Sequence, residues 1–252
     1  MFNQKLKSDL SHALSQLEGQ KSVLDALDRS TAIIEFSPDG IILAANANFE
    51  QTMGYAAAEI IGKHHRMFCP PQLAASQEYQ AFWQMLREGR FVKDQFRRIA
   101  KDGRTVWLEA SYNPIRDHNN QVVKVVKFAL DITHEVKIAH EASNTMKAVG
   151  RSMAVIEFTP DGVILAANAN FLAATGYSAD EIVDKHHRIL CPADFVNSPA
   201  YEELWRTLKQ GVFVTGRFER RHKSGRPVWL EASYNPIFDD DGAVCKVIKF
   251  AT

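Results

Sequence analysis

The feature that most constrains this chain is a repeat. Ile34 to Phe49 reads IEFSPDGIILAANANF, and Ile156 to Phe171 reads IEFTPDGVILAANANF. VWLEASYNPI at Val106 to Ile115 recurs unchanged at Val228 to Ile237. Every match lies at one offset of 122 residues, without a gap from Ala32 onward, and about 55 of the 99 aligned pairs are identical. Two copies of about 100 residues each are long enough to fold as separate globules, so the pattern predicts a tandem of domains and not a solenoid.

Each copy predicts the same order of elements. Ile33 to Phe36 forms a short apolar strand stopped by the turn Ser37-Pro38-Asp39-Gly40, and Ile41 to Ala44 forms a second. Asn46 offers a side-chain oxygen as the cap of a short helix through Met53, and Ala56 to Gly62 suggests another. Pro70-Pro71 breaks the chain before a longer helix from Ser76 to Glu88, stopped by Gly89. Runs rich in β-branched and aromatic residues follow at Phe91 to Ile99, Thr105 to Tyr112 and Val122 to Leu130. Turns at Lys101-Asp102-Gly103 and His118-Asn119-Asn120 join them as hairpins. The predicted class is α+β: two domains, each a five-stranded antiparallel sheet with helices on one face.

Outside the copies, residues 1–30 place Leu10, Leu17 and Leu24 at one heptad position and Leu6, Ala13 and Leu27 at another, with Gln20 as the polar exception. This amphipathic helix predicts a homodimer seam; its alternative is a helix folded back on its own domain. Residues 134–152 read as a helical connector, with Thr133 as its N-cap. The expected boundaries are therefore 1–30 for the N-terminal helix, 31–133 and 153–252 for the domains, and 134–152 for the linker. The second copy stops at Lys249-Phe250-Ala251-Thr252, where the first continues into Asp131-Ile132-Thr133 and a helix, so an output domain is expected after residue 252.

Charge excludes one class of partner. Thirty Lys plus Arg balance thirty Asp plus Glu, leaving no basic excess for nucleic-acid phosphates. No apolar run reaches membrane-spanning length, and the N-terminus lacks a signal-peptide core, so the reading is a cytoplasmic protein with no membrane partner. Three cysteines without a CxxC pair give neither a disulfide framework nor a zinc site. No nucleotide fingerprint, nucleophile elbow or HExxH occurs, and no pair of carboxylates resembles an acid–base set, so no enzyme activity is expected. Glu35 and Glu157, at the end of the first strand, read as exposed or edge residues.

The markers DGxIxxAN at Asp39 and Asp161, NxxF at Asn46 and Asn168, GYxxxEI at Gly54 and Gly176, and YNPI at Tyr112 and Tyr234 occur in order and in duplicate. With the ending KFALDIT at Lys127 to Thr133, this set resembles the PAS sensory domain across both copies. It is most similar to the paired PAS regions of soluble methyl-accepting chemotaxis receptors, among them biofilm-dispersion and aerotaxis receptors. The resemblance implies a sensory input module for a small ligand, gas or redox state, with Asp131 and Thr133 marking the exit into a signalling helix. It further implies a chemoreceptor signalling domain and, through it, a chemotaxis histidine kinase and coupling protein. The alternative is a cofactor-free PAS module for dimerisation or protein interaction.

Cofactor expectations rest on the same resemblance. His64-His65 recurs as His186-His187, and haem-binding PAS domains carry their ligand histidine in this region. Haem is therefore the first cofactor to consider, with His65 and His187 as iron ligands beside His64 and His186, and FAD the second. Against flavin photochemistry, His65 stands where the light-sensing branch has its cysteine. Arg98, Leu108 and Ala129 stand where that branch has polar partners for the ring. Cys69 and Cys191, each before a proline, read as small buried hydrophobes. Trp107 and Trp229 alternate with Leu108 and Leu230, so they face the outer side of the sheet, where the resemblance implies interface anchors and the alternative is a Trp covered by its own domain's helix; Trp83 and Trp205 read as core or rim.

Overall fold

The computed structural model describes residues 2–252, with side chains outside the description at residues 2–10 and 13. The chain divides into two compact units, Met1–Ala139 and His140–Thr252. Unit 1 runs α1 (Phe2–Ser30), β1 (Ala32–Phe36), β2 (Ile42–Ala45), α2 (Ala47–Met53) and α3 (Ala57–Ile60). A 3₁₀ turn at His65–Phe68 precedes α4 (Pro71–Ala74), α5 (Gln77–Arg87), β3 (Val92–Ile99), β4 (Thr105–Arg116) and β5 (Val122–Asp131). Helix α6 (Thr133–Ser152) follows. Unit 2 repeats the order as β6 (Ala154–Phe158), β7 (Ile164–Ala167), α7 (Ala169–Thr175), α8 (Ala179–Ile182), a 3₁₀ turn at His187–Leu190, α9 (Ala193–Val196), α10 (Pro199–Lys209), β8 (Val214–Arg221), β9 (Pro227–Phe238) and β10 (Val244–Ala251). The one-turn helices α4 and α9 were not expected: a proline break does not prevent a new helix from starting at Pro71, where the missing N–H costs nothing.

Each unit holds one antiparallel sheet, in the orders β2-β1-β5-β4-β3 and β7-β6-β10-β9-β8. The first strand therefore pairs on both sides, and the expectation that Glu35 and Glu157 lie at an edge is corrected. They are half-buried beside Lys124 and Lys246, each 2.8 Å away. Period-two alternation sends Val106, Leu108, Ala110 and Tyr112 of β4 into the core and turns Trp107 to the other face. In unit 2 Leu230 is buried and Trp229 is 53% exposed.

Two local devices fix how the domains meet their helices. Asn46 caps α2 by accepting the Phe49 N–H (2.9 Å) and also accepts the Ile33 N–H, while its amide donates to the carbonyls of Asp28 and Thr31. It thereby ties the end of α1 to the first strand. Asn168 makes the same bonds to Phe171, Val155, Gly150 and Met153 at the end of α6. Along α1, Leu14, Leu17, Leu24 and Leu27 are 40–61% exposed, without cover among the described residues. The seam positions Leu6, Leu10 and Ala13 have side chains outside the described residues.

Candidate functional site

The inner face of each sheet carries a cluster of buried polar groups where an apolar core is the usual arrangement. In unit 1, β3 contributes Phe96 and Arg98, β4 contributes Tyr112, and β5 contributes Lys127 opposite Tyr112 in the strand register. The 3₁₀ turn contributes His65, and α5 contributes Tyr79 and Trp83. Arg98, Lys127 and His65 are each 1–3% exposed. Unit 2 repeats the cluster with Phe218, Arg220, Tyr234, Lys249, His187, Tyr201 and Trp205. All seven are the residues found at the matching places of unit 1.

Backbone geometry delivers the histidine. Gly40 turns with φ +82°, a left-handed conformation glycine adopts readily. A Cβ there would meet Trp83 at 2.9 Å. The Gly40 carbonyl accepts the His65 N–H at 2.8 Å, which holds the start of the 3₁₀ turn against the first hairpin. His65 then lies between two phenols, with Nδ1 2.8 Å from the Tyr79 hydroxyl and Nε2 2.9 Å from the Tyr112 hydroxyl. The ring stacks on Tyr79 (centroids 5.7 Å, planes 10° apart) and meets Trp83 edge-on. His187 repeats both bonds at 3.1 Å.

Arginine sets the direction of this chain. Arg98 Nη2 donates to the Tyr112 oxygen (3.2 Å) and Nη1 to the Arg97 carbonyl (2.9 Å). A guanidinium only donates, so the Tyr112 hydroxyl is left to donate to His65 Nε2. Satisfying every group then assigns the proton of a neutral imidazole to Nδ1, which donates to Tyr79. Neutrality follows from burial, which holds the His65 pKa well below the ordinary histidine range, with Arg98 and Lys127 adding repulsion. Burial does the same to Lys127, again reinforced by Arg98. It pushes the Tyr112 phenol up and the Tyr234 phenol up to about 12.

Charge balance inside the sheet is one-sided. Among the described residues no carboxylate lies within 4.0 Å of Arg98, Lys127, Arg220 or Lys249. Aromatic faces stand in: Lys127 Nζ is 4.9 Å from the Tyr112 ring centroid, and Arg98 Cζ is 4.9 Å from that of Phe96. Arg98 Nε and Arg220 Nε are buried without a partner among the described residues.

This arrangement does not fit His65 and His187 as haem ligands. Iron coordination needs a ring lone pair facing an open axial position. Both nitrogens of His65 and of His187 are instead engaged with tyrosines, and both rings are fully enclosed. His64 and His186 are half-buried and spend Nδ1 on the N–H groups of Arg66 and Arg188. Nor does flavin find partners: Leu108 and Ala129 occupy the inner face and offer no polar group. The cavity bordered by Arg98 measures about 210 Å³, below the roughly 300–1,000 Å³ of ordinary cofactor sites. Cys69 and Cys191 are buried, and burial pushes their thiols up, away from reactive thiolate.

Sequence reasoning brought His65 and His187 to the site but missed Arg98 as a core cation, and missed Lys127 and both tyrosines. The outward placement of Trp107 and Trp229 and the burial of Trp83 and Trp205 agree with the strand and helix patterns. Asp131 and Thr133 lie at the exit of β5: Asp131 Oδ1 accepts the Thr133 N–H (2.9 Å), and Thr133 Oγ1 accepts the Trp107 N–H (2.9 Å). Thr133 is the first helical residue of α6, so the Asp131 carboxylate takes the capping part expected of Thr133. No described helix is long and apolar enough to cross a membrane.

The chain is similar to the biofilm dispersion protein BdlA of Pseudomonas aeruginosa, 49% identical over 227 residues, which is 90% of this chain and 54% of that protein. It is also similar to phototropin-2 of Oryza sativa subsp. japonica (30% identical, 45% of this chain, 12% of that protein). A third relative is the oxygen sensor protein DosP of Escherichia coli (25%, 57% of this chain, 18% of that protein). The chain spans about half the length of the first of these and less than a fifth of the others. A family model described as the PAS fold matches residues 42–129 and again 164–251, one stretch in each sheet-bearing unit. The chain belongs to the PAS family, with two copies of its fold in tandem.

Proposed function

We propose that this chain is the sensory input region of a chemotaxis-type receptor, with PAS domains at 31–133 and 153–252 and a signalling domain beyond residue 252. The observation that carries the reading is continuity. The buried cluster sits on β3, β4 and β5, and β5 runs from Lys127 to Asp131 and then through the Thr133–Trp107 bond into α6. A ligand, gas or redox change that favours one arrangement of the cluster would bias that junction, and only a difference in binding between two states can do so. Similarity to BdlA supports a part in biofilm dispersion, and the resemblance to chemotaxis receptors implies a chemotaxis histidine kinase with its coupling protein as the downstream partners. The exposure of Leu17 and Leu24 on α1 supports a homodimer along the heptad seam that includes Leu10 by sequence, with Trp107 and Trp229 as further anchors; the setting is the cytoplasm, and no reaction is assigned.

A chimera of residues 1–252 with a chemoreceptor signalling domain, assembled with its kinase and coupling protein, tests this. Kinase output that responds to a stimulus and loses that response in Thr133→Ala is expected. Output indifferent to Thr133→Ala would remove the relay.

A second reading, a cofactor-free dimerisation module, is favoured by the closed hydrogen bonding of His65 and His187. The absorption spectrum of the purified chain separates the two where the ligand is coloured: a Soret or flavin band after reconstitution would reopen the cofactor question. Light scattering tests the dimer. Deleting residues 1–28 is expected to take the mass from about 57 kDa, twice the chain, toward the monomer.

A further inference from the structure

We propose that the cavity beside Arg98 in the first PAS domain takes a small monocarboxylate, anchored by the guanidinium, while Phe195 occupies the matching space in the second domain. The proposal deepens the sensory reading by naming the ligand's class, and rests on it only for the consequence of binding. The first argument is unspent donor capacity. Arg98 makes two hydrogen bonds, to Arg97 and Tyr112, out of five possible, and its Nε is buried without a partner among the described residues. A buried cation with open donors and no carboxylate within reach is costly, and a planar carboxylate is the group whose geometry matches a guanidinium edge.

The second argument is the shape and charge of the walls. The cavity of about 210 Å³ lies between α4, α5 and β3, lined by Leu73, Tyr79, Phe82 and Phe96 beside Arg98. These walls suit a compact apolar or aromatic tail and are too close for a cofactor. Glu78 and Asp94 also border it, but both are exposed. At such a rim, carboxylates are screened by water and salt, whereas Arg98 at 3% exposure is not. They leave the inner positive charge unopposed and disfavour a second carboxylate at the mouth. The ligand is a monoanion.

The third argument comes from the internal repeat. Phe195 of α9 stands at the position of Leu73. Its ring lies 5.7 Å from Arg220 Cζ and meets Tyr201 edge-on at 5.4 Å. A second aromatic face, beside Phe218, thus stands against the guanidinium of the second unit, whose Nε is likewise buried without a hydrogen-bond partner among the described residues.

Titration calorimetry of the 252-residue chain with benzoate, and with the neutral isostere benzamide, tests the site. One benzoate per chain is expected, with benzamide binding at least about tenfold more weakly. Arg98→Gln is expected to lower benzoate affinity about ten- to a hundredfold, since a charge-assisted bond to a buried donor is lost. Leu73→Phe, the residue unit 2 carries at the matching position, there beside Leu204 in place of Phe82, is expected to block binding. No saturable heat at millimolar benzoate, equal binding of benzamide, or full affinity in Leu73→Phe would each overturn the proposal. Benzoate binding that leaves the chimera's kinase output unmoved would support the site and remove the sensory reading instead.

Discussion

Tyr112→Phe is the sharpest probe of the buried network, because one hydroxyl serves two partners. It accepts from Arg98 Nη2 at 3.2 Å and donates to His65 Nε2 at 2.9 Å, in a residue with no exposure to solvent. Removing it leaves a buried donor and a buried acceptor unpaired, each costing about 1–3 kcal/mol. The apolar ring is retained, so the loss of packing is small. The expected destabilisation is therefore about 2–6 kcal/mol, a large share of the roughly 5–15 kcal/mol that holds a domain together. Tyr79→Phe removes one partner of His65, and Tyr79 borders two cavities, so water can replace its hydroxyl. It is expected to cost less than half as much. Urea unfolding of the two variants, with Tyr234→Phe as the replicate in the other domain, measures the order. A cost below about 0.5 kcal/mol for both Tyr112→Phe and Tyr234→Phe would mean that water reaches these sites and that the network is not closed.

Other expectations follow from the same geometry. The folded-state pKa values of His65 and His187 lie well below the ordinary value of about 6.5, so the unfolded chain binds more protons in the interval between. Stability should then be full above about pH 6.5 and fall as the pH drops below it, and His65→Gln with His187→Gln should flatten the urea midpoint between pH 7 and 5, roughly the range of histidine titration. Lys127→Met should stabilise the first domain: the cation–π contact with Tyr112 that it forfeits is worth about 2 kcal/mol, against several for burying an ammonium. A lower melting temperature for this variant would reverse that ordering. Thr133→Ala should speed hydrogen exchange at the Trp107 amide, which loses its acceptor, without changing exchange at Val125; unaltered protection at Trp107 would show that the bond is not formed in solution.

Much of this protein was legible from its residues alone. The 122-residue offset gave the two domains, because an ungapped repeat of this length leaves no room for a second topology. Asn46, Gly40 and Gly89 marked a cap and turns through local chemistry, where a side chain bonds a neighbour or a backbone requires positive φ. What the sequence could not reveal was which polar residues lie inside. Strand β5 reads VVKVVKFALD, apolar on both faces, so alternation does not distinguish the buried Lys127 from the half-exposed Lys124. Arg97 and Arg98 are adjacent, and only the pairing of β3 with β4 sends one to solvent and the other to the core. The histidine pair suggested a metal ligand because its tyrosine partners lie 14 and 47 residues away. Those distances close only when α5 and β4 are brought together over the 3₁₀ turn. Local residue types determined the elements; burial, register and long-range hydrogen bonding decided that His65 is a neutral link between phenols and that Arg98 is the buried charge.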